Sequence, residues 1–146
     1  MNQLHSQILP GLFMGGTADR DVVQFGNGGV YAITTQEYDT VITMYAFANP
    51  ADWNVREYRY GVYDSVINDL NVEKLQKIVE LAYADWKEGQ RVLIRCQAGL
   101  NRSGLVTALV LMKDGMSAQE AITLIRKQRD PEALFNTHYV KWLLNR

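Results

Sequence analysis

Cysteine is almost absent: Cys96 is the one thiol in 146 residues. A lone cysteine excludes an internal disulfide and cannot by itself build a structural zinc site. The two histidines, His5 and His138, stand far apart in the chain and offer no ligand spacing. No metal and no cofactor is therefore expected. An excess of one charge is lacking as well. Fifteen Lys and Arg meet sixteen Asp and Glu, for a net charge of −1, which gives no broad electrostatic track for nucleic acid or an anionic membrane. Long apolar runs are missing too. The longest, Leu105–Met112 with Thr107 inside it, is far too short to span a bilayer. The first residues lack the charged start and apolar stretch of a secretory leader. These absences lead to the expectation of a soluble, cytoplasmic protein in a reducing compartment.

What is present fits one ordinary domain over residues 1–146, with 47% hydrophobic residues to fill a core. No repeat or linker interrupts it, and Gly26-Asn27-Gly28-Gly29 reads as a turn. Five short apolar or β-branched segments predict strands: Leu12–Met14, Val30–Ile33, Thr40–Met44, Tyr58–Val62 and Val92–Ile94. The last is a continuous apolar run, as suits a strand buried on both faces. Helical spacing of Leu75, Ile78, Val79, Ala82 and Trp86 predicts a helix over Val72–Glu88, capped by Asn71. A second, buried helix is predicted from Ser103 to Asp114, closed by Gly115. Ser117 and Glu120 form a capping box for a third, running to about Arg129. Asp130-Pro131-Glu132 predicts the start of a fourth, running to Leu144. Strand–helix alternation implies an α/β layered domain.

One segment carries chemistry. After the strand comes Cys96-Gln97-Ala98-Gly99-Leu100-Asn101-Arg102, and a helix opens at Ser103. A tight loop running into a helix N-terminus turns backbone N–H groups inward and adds a favourable helix dipole, so it binds anions. Gly99 can supply the positive φ such a curl requires. Arg102 can return over the loop and grip two phosphate oxygens as a fork. Cys96 then lies at the bottom, where the same groups favour the thiolate, the nucleophilic form. Ser103 can donate a hydrogen bond to the sulfur. A lone cysteine is more often a small buried hydrophobe. Glycine at +3, arginine at +6 and a hydroxyl at +7 at a strand-to-helix junction weigh against that.

The Cys-x5-Arg loop resembles that of the cysteine-dependent protein tyrosine phosphatase superfamily, and the chain is most similar to its small dual-specificity phosphatases. Three flanking stretches carry weaker similarity: Ile8–Gly15, Tyr38–Met44, and Ala121–Arg126 with Arg129. The resemblance implies a twisted, largely parallel sheet of about five strands with helices on both faces. It implies a metal-independent phosphomonoesterase acting on phosphotyrosine, and on phosphoserine or phosphothreonine, of a protein or peptide. Cys96 would be the nucleophile and Arg102 the phosphate clamp. Ser103 would assist the departing thiolate, and the backbone of Gln97, Ala98, Gly99, Leu100, Asn101 and Arg102 would cradle the phosphate. The family carries its general acid on a loop before the helix that precedes the nucleophile strand. Asp64, directly after a predicted strand, is the preferred candidate, and Asp69 is the alternative.

Two residues depart from the family pattern. Arg95 stands where histidine usually precedes the cysteine. It keeps a positive charge near the thiolate but not an imidazole's hydrogen bonds, or else it points to solvent or pairs with an acid. That substitution raises a phosphate-binding pseudophosphatase as an alternative. Asn101 before Arg102 resembles the RNA 5′-triphosphatase branch of the superfamily, which makes an RNA 5′ end an alternative substrate. Trp53, Trp86 and Trp142 read as core or core rim, Tyr58, Tyr60 and Tyr63 as strand packing, and His138 as a surface residue. Arg126 and Arg129 read as ion pairs behind the loop or as solvated.

Overall fold

The computed structural model describes residues 3–23 and 32–146. Five strands form one sheet: β1 (His5–Leu9), β2 (Leu12–Gly15), β3 (Thr40–Thr43), β4 (Arg56–Arg59) and β5 (Val92–Arg95). Their spatial order is β1-β2-β5-β3-β4. β1 pairs with β2 antiparallel through a tight hairpin, while β2, β5, β3 and β4 run parallel. All four residues of β5 are buried, because the strand sits at the centre and both its faces are covered. Four α-helices follow the sequence: α1 (Val72–Lys87), α2 (Arg102–Lys113), α3 (Ala118–Gln128) and α4 (Thr137–Leu144).

The strand alternation divides the core. Leu12, Met14, Ile42, Met44, Val92 and Ile94 face one way and pack with the buried stripes of all four α-helices. The intervening residues Val41 and Leu93 face the other way and meet Ile33, Tyr38, Val55 and Phe13. Ala51 packs against this second cluster as well.

Local chemistry explains where the elements begin. Asn71 caps α1 by accepting from the Lys74 N–H, and Ser117 with Glu120 forms the predicted capping box of α3. Four expectations are revised. Strand β1 precedes the first predicted strand; it alternates partly exposed and buried residues and holds only one large aliphatic residue inside, Ile8, so the pattern is faint. The strand expected at Tyr58–Val62 lies earlier, at Arg56–Arg59, on the sheet edge, where three of its four residues are charged. The last helix does not begin at Pro131. Asp130 instead makes a turn, its carboxylate accepting from the Glu132 N–H and its carbonyl from Ala133. Leu134 then takes a positive φ of 60°, and α4 starts only where the Asn136 side chain accepts from the His138 and Tyr139 N–H groups. Of the strand expected at Val30–Ile33, Val30 and Tyr31 lie outside the described residues, while Ala32 and Ile33 are not in a strand.

Because four strands run parallel, their carboxyl ends share one edge. Gly15, Thr43 and Arg95 lie at one level, as do Thr43 and Arg59. The loops that follow therefore converge in the crevice where α/β sheets place their sites.

Candidate active site

Strand β5 delivers Cys96 to that crevice, and α2 begins at Arg102. Between them the loop has a marked polarity. The carbonyl of Gln97 accepts from the Thr17 N–H at 2.8 Å, and that of Leu100 from the Leu134 N–H at 3.0 Å. The Arg129 guanidinium donates to the Gly99 carbonyl at 3.0 Å and to the Ala98 carbonyl at 3.4 Å. Four successive carbonyls are thus held by neighbouring chain. Conversely, none of the N–H groups from Gln97 to Asn101 donates to an acceptor among the described residues. Unpaired donors gathered at a helix N-terminus form an anion cradle. Arg129 also bonds the Gln3 carbonyl and Ser6 Oγ, which ties the loop to β1. Burial lowers its pKa, and Cys96 and Asp130 oppose that shift.

Gly99 closes the curl with φ +74°, and a Cβ there would lie 2.5 Å from the Gly15 carbonyl carbon and 2.6 Å from both the Gly16 nitrogen and Arg129 Nη2. Left-handed backbone alone costs a residue with a Cβ about 1–2 kcal/mol, and the contact with β2 adds to it. Gly99→Ala is expected to lower the Tm by roughly 5 °C or more and to weaken inorganic phosphate binding. Calorimetry on both variants checks this; an unchanged Tm and affinity would mean the loop does not need its glycine.

Cys96 is buried, and its Sγ lies 3.3 Å from Ser103 Oγ. Arg102 is fixed by Nη1 donating to the Val62 carbonyl at 2.9 Å, with its guanidinium 5.4 Å from the centre of the Tyr45 ring. Its Nε is buried and has no partner among the described residues. A buried donor without an acceptor is costly, and an oxyanion in the cradle would satisfy it.

Asp64 stands on the loop after β4. Its Oδ2 accepts from Asn101 Nδ2 and its Oδ1 from Asn136 Nδ2, each at 2.8 Å. The carboxylate is therefore docked on the loop from Cys96 to Arg102. Asp69 is not: it closes the short 3-10 turn Ile67–Asp69 and accepts from Ser65 Oγ just before that turn. Tyr139 Oη donates to the carbonyl of Tyr63, next to Asp64. Burial and the nearby Asp64 charge raise the Tyr139 pKa to about 12, so the phenol keeps its proton and holds that carbonyl across the physiological range. An open groove of about 440 Å³ runs beside Asp64, lined by Asn101, Phe135, Asn136 and His138 among others.

Arg95 resolves into the second of its two expected roles. Strand alternation places its side chain on the face opposite the helices, where it is 2% exposed. Nε donates to Thr43 Oγ1 at 3.1 Å, and Nη2 to the Asn49 carbonyl at 2.7 Å and to Glu57 Oε2 at 3.4 Å. Burial lowers the Arg95 pKa and Glu57 opposes it. Burial pushes Glu57 up, but hydrogen bonds from Thr43 and the Ala51 N–H, with Arg59 and Arg95 nearby, hold it below the usual range. Arg95 thus ties the Asn49 loop to the sheet.

Of the remaining residues weighed, some depart from expectation and some meet it. Trp53 and Tyr63 are exposed, at 92% and 84%. Trp86 and Trp142 are core rim, and Tyr58 and Tyr60 pack against the core. His138 is exposed. Arg126 and Arg129 bond carbonyls, Arg126 those of Ala133 and Leu134, rather than acids. Sequence reasoning missed Asn136 and Tyr45, whose positions follow no local motif.

The comparisons agree with this geometry. The model for the dual specificity phosphatase catalytic domain matches residues 52–146. The chain belongs to that family. A protein of Invertebrate iridescent virus 6 assigned as a tyrosine phosphatase, 123R, is 30% identical over 93 residues. That match covers 63% of each chain, so under two thirds of the viral relative's length is spanned. The fold is shared with human DUSP28, with TM-score 0.77, 20% identity, and 99% of this chain and 93% of that one covered. It is also shared with the human tyrosine phosphatase-like serine/threonine/tyrosine-interacting protein, with TM-score 0.72, 19% identity, and 97% and 93% covered. Among the described residues, no helix is long and apolar enough to cross a membrane, and no group of three His, Cys, Asp or Glu is placed to hold a metal.

Proposed function

We propose that this chain hydrolyses phosphate monoesters on tyrosine, and on serine or threonine, of protein substrates through a phosphocysteine intermediate. The observation that carries the reading is the polarity of the phosphate loop. The carbonyls of Gln97, Ala98, Gly99 and Leu100 are held by the surrounding chain, while the N–H groups from Gln97 to Asn101 and Arg102 Nε have no acceptor among the described residues. In the first step the Cys96 thiolate attacks phosphorus in line, forming the S–P bond as the P–O bond to the leaving oxygen breaks. The N–H groups from Gln97 to Arg102 and the Arg102 guanidinium hold the three equatorial oxygens as charge shifts onto them. Asp64 gives its proton to the leaving oxygen. Water then attacks phosphorus, Asp64 takes a proton from it, and the Ser103 hydroxyl donates to the departing sulfur, 3.3 Å away.

Asp64→Asn removes the proton and keeps the shape. Its kcat/KM on phenyl phosphate is expected to fall by roughly 10²–10³-fold, and by far less on dinitrophenyl phosphate, whose leaving group needs no proton. Equal losses on both substrates would take Asp64 out of the acid role.

The RNA reading rests on Asn101. That side chain is 3% exposed, and both its polar ends are engaged within the protein, which favours the protein-phosphatase reading. The pseudophosphatase reading rests on Arg95, whose guanidinium bonds Thr43, Asn49 and Glu57 on the other face of the sheet. The deciding experiment measures phosphate release, with EDTA present, from phosphotyrosine and phosphothreonine peptides and from 5′-triphosphorylated RNA. Release from peptides supports the proposal. Release from RNA alone replaces it, and peptide binding without release makes the chain a binding module.

A further inference from the structure

Asn101 occupies the N-cap position of α2, where an asparagine side chain ordinarily accepts from the first turn of its helix. Here it makes no such bond. Its Oδ1 instead accepts from the Asn136 N–H at 2.9 Å, and its Nδ2 donates to Asp64 Oδ2 at 2.8 Å. Asn136 supplies the other half of a clamp. Its Nδ2 donates to Asp64 Oδ1 and to the Ser65 carbonyl, both at 2.8 Å, while its Oδ1 caps α4. An aspartate on an exposed loop is thereby fixed through both carboxyl oxygens. One of the two amides belongs to the residue directly before Arg102.

From this clamp we infer that Asn101 is a positioning residue that sets the general acid in register with the phosphate loop. The inference rests on the reading of Asp64 as that acid. Each carboxyl oxygen has two lone-pair positions. One amide occupies one position on each oxygen, leaving the other for the proton that passes to the leaving group. The clamp fixes the carboxyl plane before substrate arrives, so proton transfer does not wait for a side chain to find its rotamer. Because the backbone N–H of Asn101 belongs to the phosphate cradle, a single residue fixes the distance between the acid and the bound phosphoryl group. Misplacement of a reacting group by about 1 Å can cost on the order of 10²-fold in rate. The requirement is chemically narrow: the side chain must donate to a carboxylate at one end and accept from an N–H at the other. Aspartate has the same shape and retains the acceptor, but ionised it has no proton to donate and it repels Asp64.

The test compares wild type, Asn101→Asp, Asn101→Ala, Asp64→Asn and the double variant Asn101→Ala/Asp64→Asn on phenyl phosphate and dinitrophenyl phosphate. Both Asn101 variants are expected to lose roughly 10–100-fold in kcat/KM on phenyl phosphate and only a few-fold on the activated ester. The double variant is expected to lose no more on phenyl phosphate than Asp64→Asn alone, because the two residues act in one step. Asn101→Asp keeps size and the bond from Asn136, so it carries the result if the alanine variant fails to fold. Equal losses on both esters, no loss on either, or full additivity in the double variant overturns the inference. If Asp64→Asn shows the selective loss and the Asn101 variants do not, only the positioning role falls. If Asp64→Asn is itself unselective, the acid assignment falls and takes the inference with it.

Discussion

Cys96→Ser is expected to abolish hydrolysis of aryl phosphates, lowering kcat by a factor on the order of 10⁴ or more, while inorganic phosphate or vanadate still binds. The substitution exchanges sulfur for oxygen at one atom and leaves the cradle in place. A serine hydroxyl is a weak nucleophile at its own pKa and needs an adjacent base. The partner beside Cys96 Sγ is another hydroxyl, Ser103 Oγ at 3.3 Å, which cannot serve as one. The anion cradle is built from backbone N–H groups and from Arg102, and neither depends on the sulfur. Initial rates with EDTA present, together with a phosphate or vanadate titration, measure the two consequences separately. A serine variant retaining a tenth of the wild-type rate would require another nucleophile.

Arg102 is expected to show the second largest effect, and the lysine variant is the informative one. Arg102→Ala should lower kcat/KM by roughly 10³-fold or more, since the guanidinium answers the charge that develops on the equatorial oxygens. Arg102→Lys keeps the charge but offers a point donor in place of a fork. It cannot donate to the Val62 carbonyl and offer a second nitrogen to phosphate together, as the proposed clamp asks of Arg102 through Nη1 and a buried Nε that has no partner among the described residues. A loss on the order of 10²-fold is therefore expected for lysine, with weaker phosphate binding. The kcat/KM values and the phosphate Kd by calorimetry check both. Full activity in the lysine variant would show that charge alone suffices and that the fork geometry has no role.

The proposed site was legible in the sequence where its chemistry is local. Cys96, Gly99, Arg102 and Ser103 lie within eight residues, and a phosphate loop needs them at fixed spacing. The caps of α1 and α3 were equally readable, because Asn71, Ser117 and Glu120 act on N–H groups within one turn. What stayed hidden depends on distant contacts. Asn136 meets Asp64 from 72 residues away, and Arg129 reaches the Gln3 carbonyl across 126. Nothing periodic marks either residue. Asp130-Pro131 misled for a related reason. Its turn signal is real, but Leu134 adopts a left-handed conformation that brings its N–H to the Leu100 carbonyl. Its side chain packs within 2.9 Å of where a Cβ on Gly104 would stand. That tertiary contact delays α4 until Asn136. Arg95 shows the same limit from another side. Its place next to Cys96 in sequence suggested a role at the sulfur, whereas the alternation of β5 turns its side chain away to Glu57.

The most direct test of the central claim is to mix the protein with excess dinitrophenyl phosphate, quench with acid within the first turnovers, and map the digest by mass spectrometry. The account predicts a phosphoryl group on the peptide that contains Cys96, lost from the Cys96→Ser variant and accumulating before steady state. Turnover by wild type without any phosphoryl adduct on Cys96, or an adduct on another residue that survives the serine substitution, would contradict it.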